Sequence, residues 1–166
     1  MTARLQVQTP NELEIVLTRA FTAPRRLVFD AFTTPELLCR WYGPPGCALV
    51  VCEVDLRVGG AWRYVLRRAD GTELRQHGTY REIVAPQRLI RTEANDTCEA
   101  TAAQDAVVTT DFVEHEGRTT VTSTVRYPSR EIRDAMMGAQ VTSGVAHSYQ
   151  RLADVIQELS STGTAA

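Results

Sequence analysis

His77, Asp134 and Tyr80 are the side chains in this sequence best suited to proton transfer, and Trp62, Tyr64 and Tyr80 those best suited to holding a flat or greasy molecule. An imidazole changes protonation near neutral pH and works as a general acid or base when it faces a hollow. A carboxylate or phenol does so when its surroundings shift its pKa. By strand alternation His77 opposes Gly78 and Tyr80, so it is expected to point away from the aromatic face. Asp134 falls on the apolar stripe of a C-terminal helix, one turn from its start, where the helix dipole favours a carboxylate even without a function. His115 adjoins a turn and His147 falls off the stripe. No acid–base pair converges in the sequence, so Asp134, His77 and Tyr80 stand as separate catalytic candidates.

The aromatic set is better organised. Trp62, Tyr64 and Leu66 share one strand face, and Gly78 and Tyr80 share a face on the following strand. Rings that carry an N–H or O–H suit the wall of a ligand pocket, and they suit a filled core as well. Trp41 and Tyr42, beside Gly43-Pro44-Pro45-Gly46, suit either a cavity mouth or a staple between helices and sheet.

Other chemistries are narrowed by composition. The chain has 166 residues, 43% hydrophobic and 23% charged, with a formal net charge of −2. That balance supplies no general attraction to nucleic acid or anionic lipid. Every basic residue other than histidine is arginine, which excludes Schiff-base chemistry. Cys39, Cys47, Cys52 and Cys98 form no Cys-x-x-Cys pair, and no histidine lies at metal-finger spacing, so neither metal nor cofactor is expected. Cys47 and Cys52, five apart in an expected strand, are predicted to face opposite ways; Cys39 and Cys98 are the candidate reactive thiols. The apolar runs are too short for a membrane span, and no secretory signal is legible, so a cytoplasmic location is expected.

These side chains must be positioned by a small set of elements. Leu13, Ile15, Leu17 and Phe21 read as a first strand. Pro24 suits the first position of a short helix closed by Thr33-Thr34-Pro35, and Leu37, Leu38 and Trp41 share a face of a second, residues 36–41. Strands are expected at 47–55, 60–68, 73–84, 88–95, 106–114 and 118–127, punctuated by Gly59-Gly60, Asp70-Gly71, Ala85-Pro86 and Glu116-Gly117. Segment 95–105 has no clear pattern. Ser129 is the expected N-cap of one long helix over 130–158, with Met137, Val141, Val145, Ser148, Leu152, Val155 and Leu159 on its apolar stripe. The expected architecture is α+β: a curved antiparallel sheet of six to seven strands around a long C-terminal helix, with two short helices after the first strand. One domain over 12–159 is expected, with tails at 1–11 and 160–166.

Ala23-Pro24 with Val28-Phe29, Pro35-Glu36-Leu37-Leu38, Arg40-Trp41-Tyr42-Gly43-Pro44, and Asp55-Leu56-Arg57-Val58-Gly59-Gly60 carry a family resemblance. Trp62-Arg63-Tyr64, Gly78-Thr79-Tyr80, Tyr127-Pro128-Ser129 and residues 144–152 continue it. The chain resembles the START-like helix-grip (SRPBCC) superfamily, and within it the bacterial branch similar to the C-terminal domain of the activator of the heat-shock-chaperone ATPase. The resemblance spans about residues 13–158. It implies a cavity between sheet and helix holding a small hydrophobic or aromatic molecule. The residues expected to contact it are Trp62, Tyr64, Leu66, Tyr80, Phe112, Met137, Val141 and Val145, with Trp41 and Tyr42 at the mouth. An enzyme of the polyketide cyclase or aromatase type in the same cavity is the first alternative. A co-chaperone acting through its outer surface is the second, and a homodimer is a further partnership to test.

Overall fold

The computed structural model describes residues 3–96, 105–138 and 141–163. Eight strands and four helices follow in the order β1 (Gln6–Gln8), β2 (Glu14–Phe21), α1 (Arg25–Thr33), α2 (Pro35–Trp41), β3 (Cys47–Val54), β4 (Ala61–Arg68), β5 (Glu73–Val84), β6 (Arg88–Asn95), β7 (Ala106–His115), β8 (Arg118–Arg126), α3 (Arg130–Gly138) and α4 (Val141–Gly163). All strands are antiparallel neighbours in one sheet ordered β1-β2-β8-β7-β6-β5-β4-β3. Strands β3 to β8 form a meander of hairpins, and β2 closes onto β8, the end of that meander. Helices α1 and α2 therefore carry the chain from β2 to the far edge, where β3 begins. This is the expected α+β helix-grip arrangement.

Period-two patterning places the core. In β2, Ile15, Leu17 and Phe21 are buried while the alternate positions are half-exposed. The same alternation in β7 and β8 turns Val108, Phe112 and Val121 inward. Helix α4 covers that face with Tyr149, Leu152, Val155 and Ile156. Leu152 has no exposed surface, a burial that stabilises the fold by about 2 kcal/mol. Ring contacts knit the helices to the sheet and to one another: Phe29 against Phe112 of β7 at 5.4 Å, Phe32 against Trp41 at 5.0 Å, and Trp41 against Tyr149 at 6.1 Å.

Three expectations are corrected. The sheet has eight strands, because Gln6–Gln8 within the expected N-terminal tail pairs with β2. The C-terminal helical region is described as α3 and α4, residues 139–140 between them lying outside the described residues, and it runs into the expected tail as far as Gly163. Ser129 caps the start of α3 as expected, its Oγ accepting from the Ile132 amide at 3.3 Å. Finally, Cys47 and Cys52 do not face opposite ways. The pairing shifts register between Leu49 and Val51, and the extra residue returns Cys52 to the inward face, where both cysteines pack against the core. Cys98 and most of segment 95–105 lie outside the described residues.

Candidate functional site

A cavity of about 500 Å³ lies between the inner face of the sheet and helices α2, α3 and α4. The sheet contributes Leu66 from β4, Leu74 from β5, Leu89 from β6 and Val108 from β7; the helices contribute Leu38, Met136 and Val145. At one rim stand Tyr42, Gly43 and Pro44, the turn that ends α2.

That turn is fastened to α4 by a specific lock. Ser148 is buried, donates its hydroxyl to the Gly43 carbonyl at 2.5 Å and accepts from the Gly43 amide at 3.2 Å. Gly43 has φ +123°, and a Cβ there would meet Leu66 at 2.9 Å, so only glycine fits. One turn earlier in α4, Gly144 lets Pro44 approach so closely that an added Cβ would stand 3.2 Å from the Pro44 Cβ. The Gly43-Pro44 pair and the small residues of α4 thus set the height of the helix above the sheet at this rim.

The cavity has a polar wall on β6. Arg91, Glu93 and Asn95 follow Leu89 at every second position along the inward face of this strand. The Arg91 guanidinium lies over the Trp62 ring at 3.9 Å from its centroid and donates to the Tyr64 hydroxyl at 3.2 Å. Glu93 stands 3.5 Å from it. Burial works against the Arg91 charge, but the Tyr64, Glu93, Tyr42 and Tyr80 oxygens around it more than offset this and hold its pKa above the ordinary arginine value. Nearby, the Tyr42 hydroxyl donates to Gln76 Oε1 at 2.6 Å. Burial pushes the Tyr42, Tyr64, Tyr127 and Tyr149 phenols above their ordinary pKa, so all four face the cavity as neutral hydroxyls.

Of the residues expected from sequence to contact a ligand, Tyr64, Leu66 and Val145 line the cavity, as do Trp41 and Tyr42. Trp41 serves as a staple too, since it is buried and its indole N–H donates to the Ala31 carbonyl at 2.9 Å. Trp62, Tyr80 and Phe112 are buried in the core behind the wall; Trp62 acts on the cavity through Arg91, and its indole N–H is spent on the Thr92 carbonyl at 3.0 Å. Met137 packs half-buried against a smaller apolar cluster, and its neighbours Ala135 and Met136 line the cavity in its place. The Val141 side chain lies outside the described residues.

The catalytic candidates do not converge. His77 points outward, with Nε2 3.0 Å from Asp96 Oδ1. Asp134 is exposed and ion-paired with Arg133 at 2.9 Å and Arg130 at 3.6 Å. Helix α3 turns Ile132 inward, and Asp134, two positions further on, falls on the opposite side. The Tyr80 hydroxyl is buried beside Arg91 without an aligned hydrogen bond, behind the cavity wall. Among the described residues, no group of three or more His, Cys, Asp or Glu side chains is placed to hold a metal ion. No described helix is long and apolar enough to cross a membrane.

The family described as Activator of Hsp90 ATPase homolog 1-like protein matches residues 22–157. This chain belongs to that family. The match takes in every helix and strand lining the cavity except β2, which ends just before it, and the last residues of α4. Among solved structures, a protein from Rhodobacter sphaeroides is 25% identical with a TM-score of 0.85, covering 93% of this chain and 99% of that one. A protein from Chromobacterium violaceum is 27% identical with a TM-score of 0.74, covering 88% and 97%. One from Nitrosomonas europaea, 22% identical with a TM-score of 0.81 over 92% and 99%, shares the fold. Among curated proteins, none matches the chain.

Proposed function

We propose that this chain binds a small, largely apolar molecule in the space between its sheet and α4. The observation that carries the reading is the cavity of about 500 Å³, bordered by Leu38, Leu66, Leu89 and Val145 and provided with a few placed polar groups on β6. Ligand sites fall in the range of about 300–1,000 Å³ and have this composition. Protein interiors are otherwise packed with few voids larger than a water molecule, so a space of this size is not a by-product of ordinary packing.

The test is fluorescence of the neutral apolar dye N-phenyl-1-naphthylamine on addition of protein, with Val145→Trp as the blocked variant. Enhancement in the wild type that falls at least about tenfold in a folded Val145→Trp protein supports the cavity as the site. Equal enhancement in both would move binding elsewhere and defeat the reading.

The family match favours a second reading, stimulation of a heat-shock-chaperone ATPase. Its support is family membership and not a feature of this surface. Titrating the protein into its cognate chaperone and measuring ATP turnover decides it, an unchanged rate counting against.

A further inference from the structure

The charges on the cavity wall specify more than an apolar guest. Resting on the reading of the cavity as a ligand site, we infer that its ligand is an amphipathic monoanion, an apolar body with one carboxylate-like group, bound with the charged end at the rim beside Arg68 and the apolar end inward.

Three charged side chains line the cavity among the described residues: Arg68, Arg91 and Glu93. The tyrosines on the wall are neutral, because burial opposes phenolate formation. One negative and two positive charges leave the site with an excess of one positive charge. A bound molecule that carries one negative charge neutralises it; a cationic guest would compound it.

The excess is not evenly placed. Arg91 is already engaged deep in the site, with Glu93 at 3.5 Å, Tyr64 at 3.2 Å and the Trp62 ring beneath it. A second carboxylate there would face Glu93. Arg68 differs. It sits at the exposed end of β4, two residues beyond Leu66 on the inward-facing row and about 13 Å along the strand from Tyr64. The other arginines of β4 have carboxylates, Arg63 with Glu53 at 3.5 Å and Arg67 with Glu73 at 3.0 Å. Among the described residues Arg68 has none within ion-pair distance. The adjacent acid, Asp70, feels the Arg68 charge at a distance, but its hydrogen bonds go to Thr72, from whose hydroxyl it accepts at 2.7 Å and from whose amide at 2.9 Å. Between the two arginines the wall is apolar, with Leu66, Leu74 and Leu89. The pattern of a cation without an ion pair at the rim, hydrocarbon in the middle and a self-paired polar group within matches a head-out amphipath.

Displacement of N-phenyl-1-naphthylamine by decanoate and by 1-decanol, which share one hydrocarbon chain and differ in charge, tests this in the wild type, Arg68→Gln and Arg68→Glu. Arg68 is exposed, and thermal melts verify folding. Decanoate is expected to weaken about fivefold in Arg68→Gln and roughly twentyfold in Arg68→Glu, with decanol unchanged. Added salt is expected to erode the wild-type preference. If both ligands displace the dye and neither responds to Arg68, the cavity reading stands and the charge inference is overturned. If the dye itself does not bind, both fall together.

Discussion

Ser148→Ala removes a single oxygen and should loosen the whole rim of the cavity. That oxygen satisfies both backbone groups of Gly43, which is itself buried. Each buried backbone group left without a partner costs about 1–3 kcal/mol. Water entering from the adjoining cavity recovers part of this, so the net loss is about 3 kcal/mol. For a domain of this length each kcal/mol lowers the melting temperature by about 2–4 °C, which predicts a fall of roughly 6–12 °C. Differential scanning calorimetry on Ser148→Ala measures it, with His147→Ala as the control. His147 is exposed at the preceding position of the same helix, and its replacement should shift the midpoint by no more than about 2 °C. The variant should also bind the naphthylamine dye more weakly, since Gly43 and Pro44 form part of the wall. A Ser148→Ala protein that melts with the control would refute the claim that this hydrogen-bond pair holds α4 to the turn.

Two further outcomes follow from burial. All five tyrosines have phenols raised above their ordinary pKa, chiefly by desolvation. A raised folded-state value means that stability is intact below about pH 10 and is lost as pH rises beyond it. Phenolate absorbance should therefore stay flat through the ordinary tyrosine range and then appear together with loss of the folded circular dichroism signal; titration in the folded protein near pH 10 would contradict this. For the thiols, burial first and the adjacent Cys39 second push Cys52 up to about 12, whereas Cys39 is exposed. The Cys52 contribution to stability is present below its ordinary value of 9.0 and declines as pH climbs toward 12. Iodoacetamide at mildly alkaline pH should label Cys39 and spare Cys52 until the protein is unfolded, as read by peptide mass spectrometry; equal labelling of the two would be inconsistent with a protected thiol.

The elements were legible because they depend on local periodicity and punctuation. Six strands of the meander and its partner β2 lie within about a residue of the spans read from alternation and from the Gly, Pro and Asp-Gly turns. The short helices were marked by Pro24 and Pro35 and by the shared face of Leu37, Leu38 and Trp41. Strand β1 was not legible, since three residues, Gln6-Val7-Gln8, carry too little pattern and are ordered by pairing with β2. The inward return of Cys52 was hidden for a related reason: a bulge is a relation between two strands, and β3 alone does not display it.

The candidate site divides the same way. Sequence by itself determined which faces are apolar, and so placed Tyr64, Leu66, Val145, Trp41 and Tyr42 where the cavity now has its wall. It also placed the glycine-proline turn that ends α2. Tertiary structure alone decided that Trp62, Tyr80 and Phe112 fill the core instead of the wall, because depth behind a curved sheet depends on what stands across from each side chain. It decided, too, that Arg91 and Glu93 face inward. Charged residues alternating along a strand resemble a solvent face, and only the Trp62 ring, the Tyr64 hydroxyl and the overlying helix supply the partners that let those charges be buried.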